Sequence, residues 1–242
     1  MGSGIYSALS GGLAKMRQME TAVHDLANAN KTGYKAGGMA FESLVDGNMQ
    51  NTGANGMNFC RTSNRFIDFS QGDLKQTGRS LDMAIKGDGF FKVAGDDGFF
   101  YTRAGDFTVD DQGNLVTSAG GLQVVGEDGP VNLPHADVEV DSRGRITSDG
   151  EELGRLDVYT VAEPQDLIQR PDGLYEADGD AGEEPAGNGA RVVQGSLEQS
   201  NASALELSTG LIETQRAYEA YLKTMKTHSD LGEQRNRIGR VG

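Results

Sequence analysis

Three histidines, one cysteine and 36 carboxylates are the side chains on which chemistry could rest in this 242-residue chain. His24, His135 and His228 are far apart in sequence, so no zinc-ligand spacing and no nucleophile–histidine triad is suggested. Cys60 is alone, which excludes an intramolecular disulfide and a thiolate metal cage. Gly87-Asp-Gly89 begins like a dinucleotide loop, but Lys92 stands where a third Gly is required and no helix pattern follows. Asp110, Asp111 and Asn114 around Gly113 resemble a calcium loop only loosely, because the alternating acidic spacing and the closing Glu are missing. Turn chemistry explains these acids better. Paired carboxylates are too abundant to single out a glycosidase pair, and Trp, a common sugar-stacking residue, is absent. The expectation is therefore no catalytic residue, no cofactor and no metal.

The elements that would position any site read in three parts. At the N-terminus, apolar or small residues recur at Ile5, Leu9, Gly12, Met16, Met19, Val23 and Leu26, alternating steps of four and three, the heptad pattern of a helix. That helix stops where Asn28 opens a turn containing Gly33 and Tyr34. Gly33 suits a left-handed backbone, and Asn is expected to be tolerated there better than a β-branched residue. At the other end, Ala204, Leu207, Leu211, Thr214, Tyr218, Tyr221, Met225 and His228 repeat the same steps, with Leu205, Ile212 and Leu222 widening the face. Ser200, Asn201 and Ser203 supply cap candidates for this second helix. Two such stripes most simply bury each other and leave apolar surface for a neighbouring copy.

Between the helices the pattern changes to short alternating runs cut by Gly and Asp. Residues 86–93, 98–102, 106–109 and 154–161 read as strands joined by tight turns. Val109-Asp-Asp-Gln-Gly113-Asn-Leu115 is echoed by Val140-Asp-Ser-Arg-Gly144-Arg-Ile146. Residues 176–190, rich in Gly and acids, read as a mobile loop. The strand signals are local, so residues 45–195 are expected to fold without either terminus. The fold class expected is α+β: N- and C-terminal helices paired as a coiled coil around a central all-β, glycine-rich domain. Its parts are a helix over 1–35, an extended linker over 36–80, the β domain over 81–195 and a second helix over 196–242.

The net charge of −14 argues against a nucleic-acid partner. The deficit lies wholly in residues 36–195, at −16, while the two ends are near neutral. A solvated acidic body between two interaction segments is the simplest reading. No basic-then-apolar leader and no membrane-length apolar run is visible, which implies that any export uses no cleaved signal.

Four ordered motifs carry a family likeness. Leu26-Ala-Asn-Ala-Asn-Lys-Thr-Gly33-Tyr34-Lys35 resembles the Leu-Ala-Asn signature of bacterial flagellar basal-body rod and hook proteins. Residues 71–91, from Gln71-Gly-Asp-Leu to Gly89-Phe90-Phe91, resemble the entry to their β domain. Tyr101-Thr-Arg-Ala-Gly105-Asp-Phe107 and Gly195-Ser-Leu-Glu-Gln-Ser-Asn201 are similar to two further signatures. Lys31 departs from the family, standing in a slot where Thr is usual. Gly129-Pro-Val-Asn-Leu-Pro134 and Met225-Lys-Thr with a basic tail are similar to proximal-rod members, whereas Gln215-Arg-Ala-Tyr-Glu219 is shared with distal-rod members.

The resemblance implies a non-enzymatic structural subunit of the proximal rod that assembles helically and transmits motor torque to the hook. It implies as partners other copies of itself, neighbouring rod proteins and the flagellar export apparatus, with neither nucleic acid nor a membrane span. It places the chain in the periplasmic rod of the basal body. On this reading the assembly interface comprises Ile5, Leu9, Met16, Met19, Val23, Leu26, Leu207, Leu211, Tyr218, Tyr221 and Met225, and the helix-terminating turn is Asn28, Gly33 and Tyr34. The competing expectations are a distal-rod or hook paralogue and, in another class, a secreted β-domain binding module or hydrolase.

Overall fold

The computed structural model describes residues 2–45, 58–96, 98–170, 172–177, 182–187 and 189–238. It opens with helix α1 (Gly2–Asn28), and strands β1 (Gly37–Val45) and β2 (Asn58–Ile67) follow. Next come β3 (Leu74–Gln76), β4 (Met83–Lys86), β5 (Phe90–Gly95), β6 (Gly98–Thr102), β7 (Phe107–Val109) and β8 (Leu115–Thr117). The series continues with β9 (Gln123–Gly126), β10 (Gly129–Pro130), β11 (Glu139–Val140), β12 (Arg145–Ser148), β13 (Glu151–Arg155) and β14 (Val158–Val161). A 3-10 turn at Pro164–Asp166 precedes β15 (Leu167–Gln169), β16 (Tyr175–Ala177), β17 (Glu183–Pro185), β18 (Arg191–Gln194), β19 (Ser196–Glu198) and helix α2 (Ala204–Ile238).

The chain divides into two compact units, one of Met1–Ala27, Gly37–Asp68 and Ser203–Gly242, the other of Asn28–Ala36 and Phe69–Ala202. In the first, β1 and β2 form an antiparallel ladder from Gly37↔Ile67 to Val45↔Asn58, shifting register between Ala40 and Phe41. Phe66 lies over its cross-strand partner Gly38, where a Cβ would come within 2.2 Å of the ring. The Asp25 carboxylate near the end of α1 accepts the Gly37 N–H at 3.2 Å, joining helix to strand. Helix α2 starts on a cap: the Ser203 hydroxyl accepts from Glu206 N at 3.4 Å and its carbonyl from Leu207 N at 2.9 Å.

The expected pairing of the helices as a coiled coil is corrected here. Among the described side chains of α1 the buried positions are Ala8, Gly11, Gly12, Ala14 and Asp25, while Leu9 (43% exposed) and Val23 (50%) of the anticipated seam face outward. Tyr221 of α2 lies against Gly11, so close that a Cβ there would sit 2.7 Å from its ring. A close approach over small residues replaces a seam of interlocking large ones, because Gly and Ala let a bulky aromatic ring reach the helix backbone. A heptad count weighs large apolar residues and overlooks such a face.

In the second unit, the largest sheet runs β15-β16-β6-β5-β9-β8-β7, with β10 on β9, and β14 pairing both β5 and β17. Beside it stand β11-β12-β13 and the pairs β18-β4 and β19-β3. Met83, Ile85, Phe91, Val93, Leu115, Val124, Leu133, Ile146 and Leu156 are fully buried in one core. The span 176–190 contains ordered strand, including β17, on which Thr160 and Val161 pair with Glu184 and Glu183.

The sequence echo is a structural repeat. In the β7–β8 turn, Asp110 Oδ1 accepts from Gln112 N (2.9 Å) and Asn114 N (2.8 Å); in the β11–β12 turn, Asp141 Oδ1 accepts from Arg143 N (2.8 Å) and Arg145 N (3.0 Å). Each turn glycine carbonyl then receives a returning leucine, Leu133 N on Gly113 O at 2.6 Å and Leu156 N on Gly144 O at 2.8 Å. The Asp110 carboxyl is held below the usual carboxylate range chiefly by the Asn114 side chain. For Asp141 burial acts upward, but the backbone N–H groups of Arg145 and Arg143 outweigh it and its carboxyl also lies low. These acids are turn-formers whose oxygens are already occupied.

Candidate functional site

All four signature segments converge inside the second unit on one carboxylate. Glu198 Oε1 accepts from Lys35 Nζ at 2.6 Å and from Gly72 N at 3.0 Å, and Oε2 accepts from Arg103 at 3.1 Å. The Lys35 and Glu198 side chains are 0% exposed and that of Arg103 3%. Lys35 also donates to the Ser70 carbonyl at 2.6 Å, and the Arg103 guanidinium lies 5.4 Å from the centroid of the Phe90 ring. Around this charge knot Asn201 accepts from Ala36 N at 2.8 Å and donates to Ser70 O and Oγ. Two cations against one carboxylate are tolerable in such a setting only because hydrogen bonds and an aromatic face share the charge. Tyr175 packs beside Phe90 and Phe69, and burial pushes its phenol far above the usual value.

Helix α1 ends at Asn28, whose carbonyl accepts from Lys31 N at 2.9 Å. Gly33 follows at φ +66, its N–H donated to Glu198 O at 2.8 Å. A Cβ at Gly33 would lie 2.3 Å from Ala104 N and from Arg103 C. The left-handed backbone is as expected, and any side chain, Asn or β-branched, also meets backbone there. Tyr34 is 2% exposed. Lys31, the departure from the family motif, donates to the Asp172 carbonyl. The compact body takes in Asn28–Ala36 and residues through Ala202, so its bounds extend beyond residues 81–195 at both ends.

The anticipated assembly residues fall into two sets. On α1, Leu9 and Val23 are exposed, Met16, Met19 and Leu26 half-buried, and Ile5 lies outside the described side chains. With Leu13 (45% exposed), the residues Leu9, Met16 and Val23 fall within about 80° of the helix circumference, on the side away from Gly11, Ala14 and Asp25 and bordered by Gly12. On α2, Leu207, Leu211, Tyr218, Tyr221 and Met225 are all half-buried around buried Thr214, whereas Leu205 (77%), Ile212 (52%), Leu222 and Leu231 are exposed.

The nearest approach to hydrolase geometry fails on its atoms. His135 Nε2 is 2.8 Å from Ser148 Oγ, and the Asp149 carboxylate is 3.9 Å from the same nitrogen. A relay needs the acid on the other ring nitrogen. Ser148 is buried and Asp149 is at an exposed tip, with φ 51. Among the described residues no group of three or more His, Cys, Asp or Glu could hold a metal ion.

Sequence reasoning missed Lys35, Arg103 and Glu198 as a set. The signal available was that each sits inside one of the ordered motifs; nothing local announces that residues 163 apart in sequence share a buried bond.

Comparison with known proteins agrees with this architecture. Residues 84–148 match the flagellar hook protein FlgE/F/G D1 domain, and residues 193–238 match the flagellar basal body rod FlgEFG protein C-terminal family. The chain is 30% identical to the flagellar basal-body rod protein FlgF of Caulobacter vibrioides over 245 residues, covering 100% of this chain and 99% of that one. It is 27% identical to FlgF of Mesorhizobium japonicum, over 90% of each chain. Against the rod protein FlgG of Agrobacterium fabrum the identity is 31%, over 93% of this chain and 94% of the relative. The likeness thus spans the whole length of the chain: the chain belongs to the flagellar basal-body rod protein family.

Proposed function

We propose that this protein is a structural subunit of the flagellar basal-body rod, of the proximal, FlgF kind, packing with copies of itself and with neighbouring rod proteins and carrying motor torque toward the hook. The observation that carries this reading is the apolar stripe Leu9–Leu13–Val23 left exposed on α1. Apolar side chains in a row on a long helix raise the free energy in water, by about 25 cal/mol per Å² of apolar surface, and a neighbour that covers them lowers it again. The near-neutral ends suit protein contacts, and the acidic segment 36–195, at −16, suits aqueous periplasm. Passage through the flagellar export apparatus without a cleaved signal belongs to the same reading, as does a role without catalysis. Among the described residues no helix is long and apolar enough to cross a membrane.

Similar identity to FlgG relatives keeps a distal-rod subunit as the second reading. Complementation separates the two. The proposal expects this gene to restore rods in cells lacking FlgF and to fail in cells lacking FlgG; the reverse pattern contradicts it.

A further inference from the structure

The structural repeat contains its own comparison. Its two copies share a scaffold down to individual side chains: Asn114 Nδ2 bonds Asp110 Oδ2 at 2.9 Å where Arg145 Nε bonds Asp141 Oδ2 at 2.9 Å. Asn132 Nδ2 reaches Gln112 O at 3.4 Å where Arg155 Nε reaches Arg143 O at 3.3 Å. On one scaffold the first copy presents Gln112, Asn114 and Asn132, and the second presents Arg143, Arg145 and Arg155 at the same three places. The turn itself needs none of this positive charge, since the copy without arginines makes the same Asp-to-backbone bonds.

The second copy borders a groove of about 840 Å³ lined by Ser142, the arginines 143, 145, 155 and 191, Asp157 and the segment Pro185–Gly187. Four of the twelve basic residues between positions 36 and 195 thus meet in one place. Arg145 is paired with Asp141, and Arg155 with Glu127 and Asp157. The exposed Arg143 and Arg191 guanidinium groups have no carboxylate partner among the described residues.

We infer that this arginine groove is a lateral contact of the β body, receiving a carboxylate-bearing turn from a second copy of this chain. The inference rests on the rod-subunit reading and extends it from the helices to the body. Acidic segments such as residues 36–195, at −16, repel one another when stacked, and at physiological ionic strength only charges within about 8 Å of each other count. A groove with two free guanidinium groups converts that repulsion into paired contacts at the point of touch, and arginine forks match carboxylates in geometry. Nucleic acid and other polyanions face the net charge of −14. The arginine face is not itself acidic, so the contact joins two different patches, the heterologous kind that propagates helically.

The test places a benzophenone photo-cross-linking residue at Ser142 of the full chain in motile cells. A product of two chains whose cross-linked peptide contains Asp or Glu is expected, and Arg143→Glu with Arg191→Glu should remove it and lower incorporation into basal bodies at least tenfold. Gln112→Glu, the matched change in the first copy, should incorporate normally. Both variants alter exposed residues, so melting temperatures should stay at the wild-type value. Cross-linking to a different protein or to glycan, no product from assembled rods, or normal incorporation of the double reversal overturns the inference. The last two results leave the rod-subunit reading standing, which fails separately if the wild-type chain is absent from basal bodies.

Discussion

Replacing Glu198 by Gln keeps the side-chain volume and removes the one negative charge between two buried cations. In the native protein its two oxygens receive Lys35 Nζ at 2.6 Å, Gly72 N at 3.0 Å and Arg103 at 3.1 Å. Glu198→Gln leaves Lys35 and Arg103 facing each other without compensation. Breaking a buried pair from one side costs about 3–5 kcal/mol, a large share of the roughly 5–15 kcal/mol that holds a domain. Lys35→Met is a gentler change, because Glu198 keeps Arg103 and the Gly72 N–H; the cost expected is that of a lost donor to a charged group, about 1.5–3 kcal/mol. The ranking, Glu198→Gln worse than Lys35→Met, follows from charge count alone. The double variant should be less destabilised than the sum, by about 1–3 kcal/mol. The chain has no Trp, so the assay is urea unfolding followed by tyrosine fluorescence, with Tyr34, Tyr101 and Tyr175 buried in the same unit as the knot. A Glu198→Gln variant within 1 kcal/mol of wild type, or single effects that simply add, would refute the reasoning.

Gly33→Ala and Gly33→Asn should both lower the melting temperature of the β body, since the steric cost of the left-handed backbone, roughly 1–2 kcal/mol, is joined by a backbone clash; an Asn variant melting like wild type would refute the contact. Leu13→Asp and Val23→Asp should leave the circular dichroism melt intact and abolish rod incorporation, whereas Leu211→Asp, at a half-buried position, should also reduce helix content. Asp110 has a depressed carboxyl, so its stabilisation is present above the ordinary Asp value and is lost as pH falls through the lower folded one. Asp110→Asn should therefore melt below wild type at pH 7 and equal it in strong acid; an equal melting point at both would remove the turn from the account.

What could be read from the sequence divides along physical lines. The face of α2 was legible because its half-buried residues, Leu207 to Met225, keep the three–four spacing that helical geometry imposes. The two Asp-to-Gly turns were legible because side-chain capping of a turn is local chemistry. The inward face of α1 was not, since Ala8, Gly11 and Ala14 carry no hydropathic signal and their value lies in what they permit Tyr221 to do. Nor was the charge knot. Lys35 and Glu198 look like surface residues until the fold removes them from water together, and only the four motifs they sit in marked the region at all. The coiled-coil expectation failed because Leu9, Leu13 and Val23 of α1 are exposed while Ala8, Gly11 and Ala14 take buried positions.

The measurement that tests the account most directly is quantitative mass spectrometry of basal bodies purified from cells making the wild-type chain, Leu13→Asp or Val23→Asp at equal expression. The account predicts the wild-type chain at a fixed ratio to the other rod proteins and neither variant incorporated, with both variants still folded when purified. Absence of the wild-type chain from basal bodies, or variants present at the wild-type ratio, would contradict it.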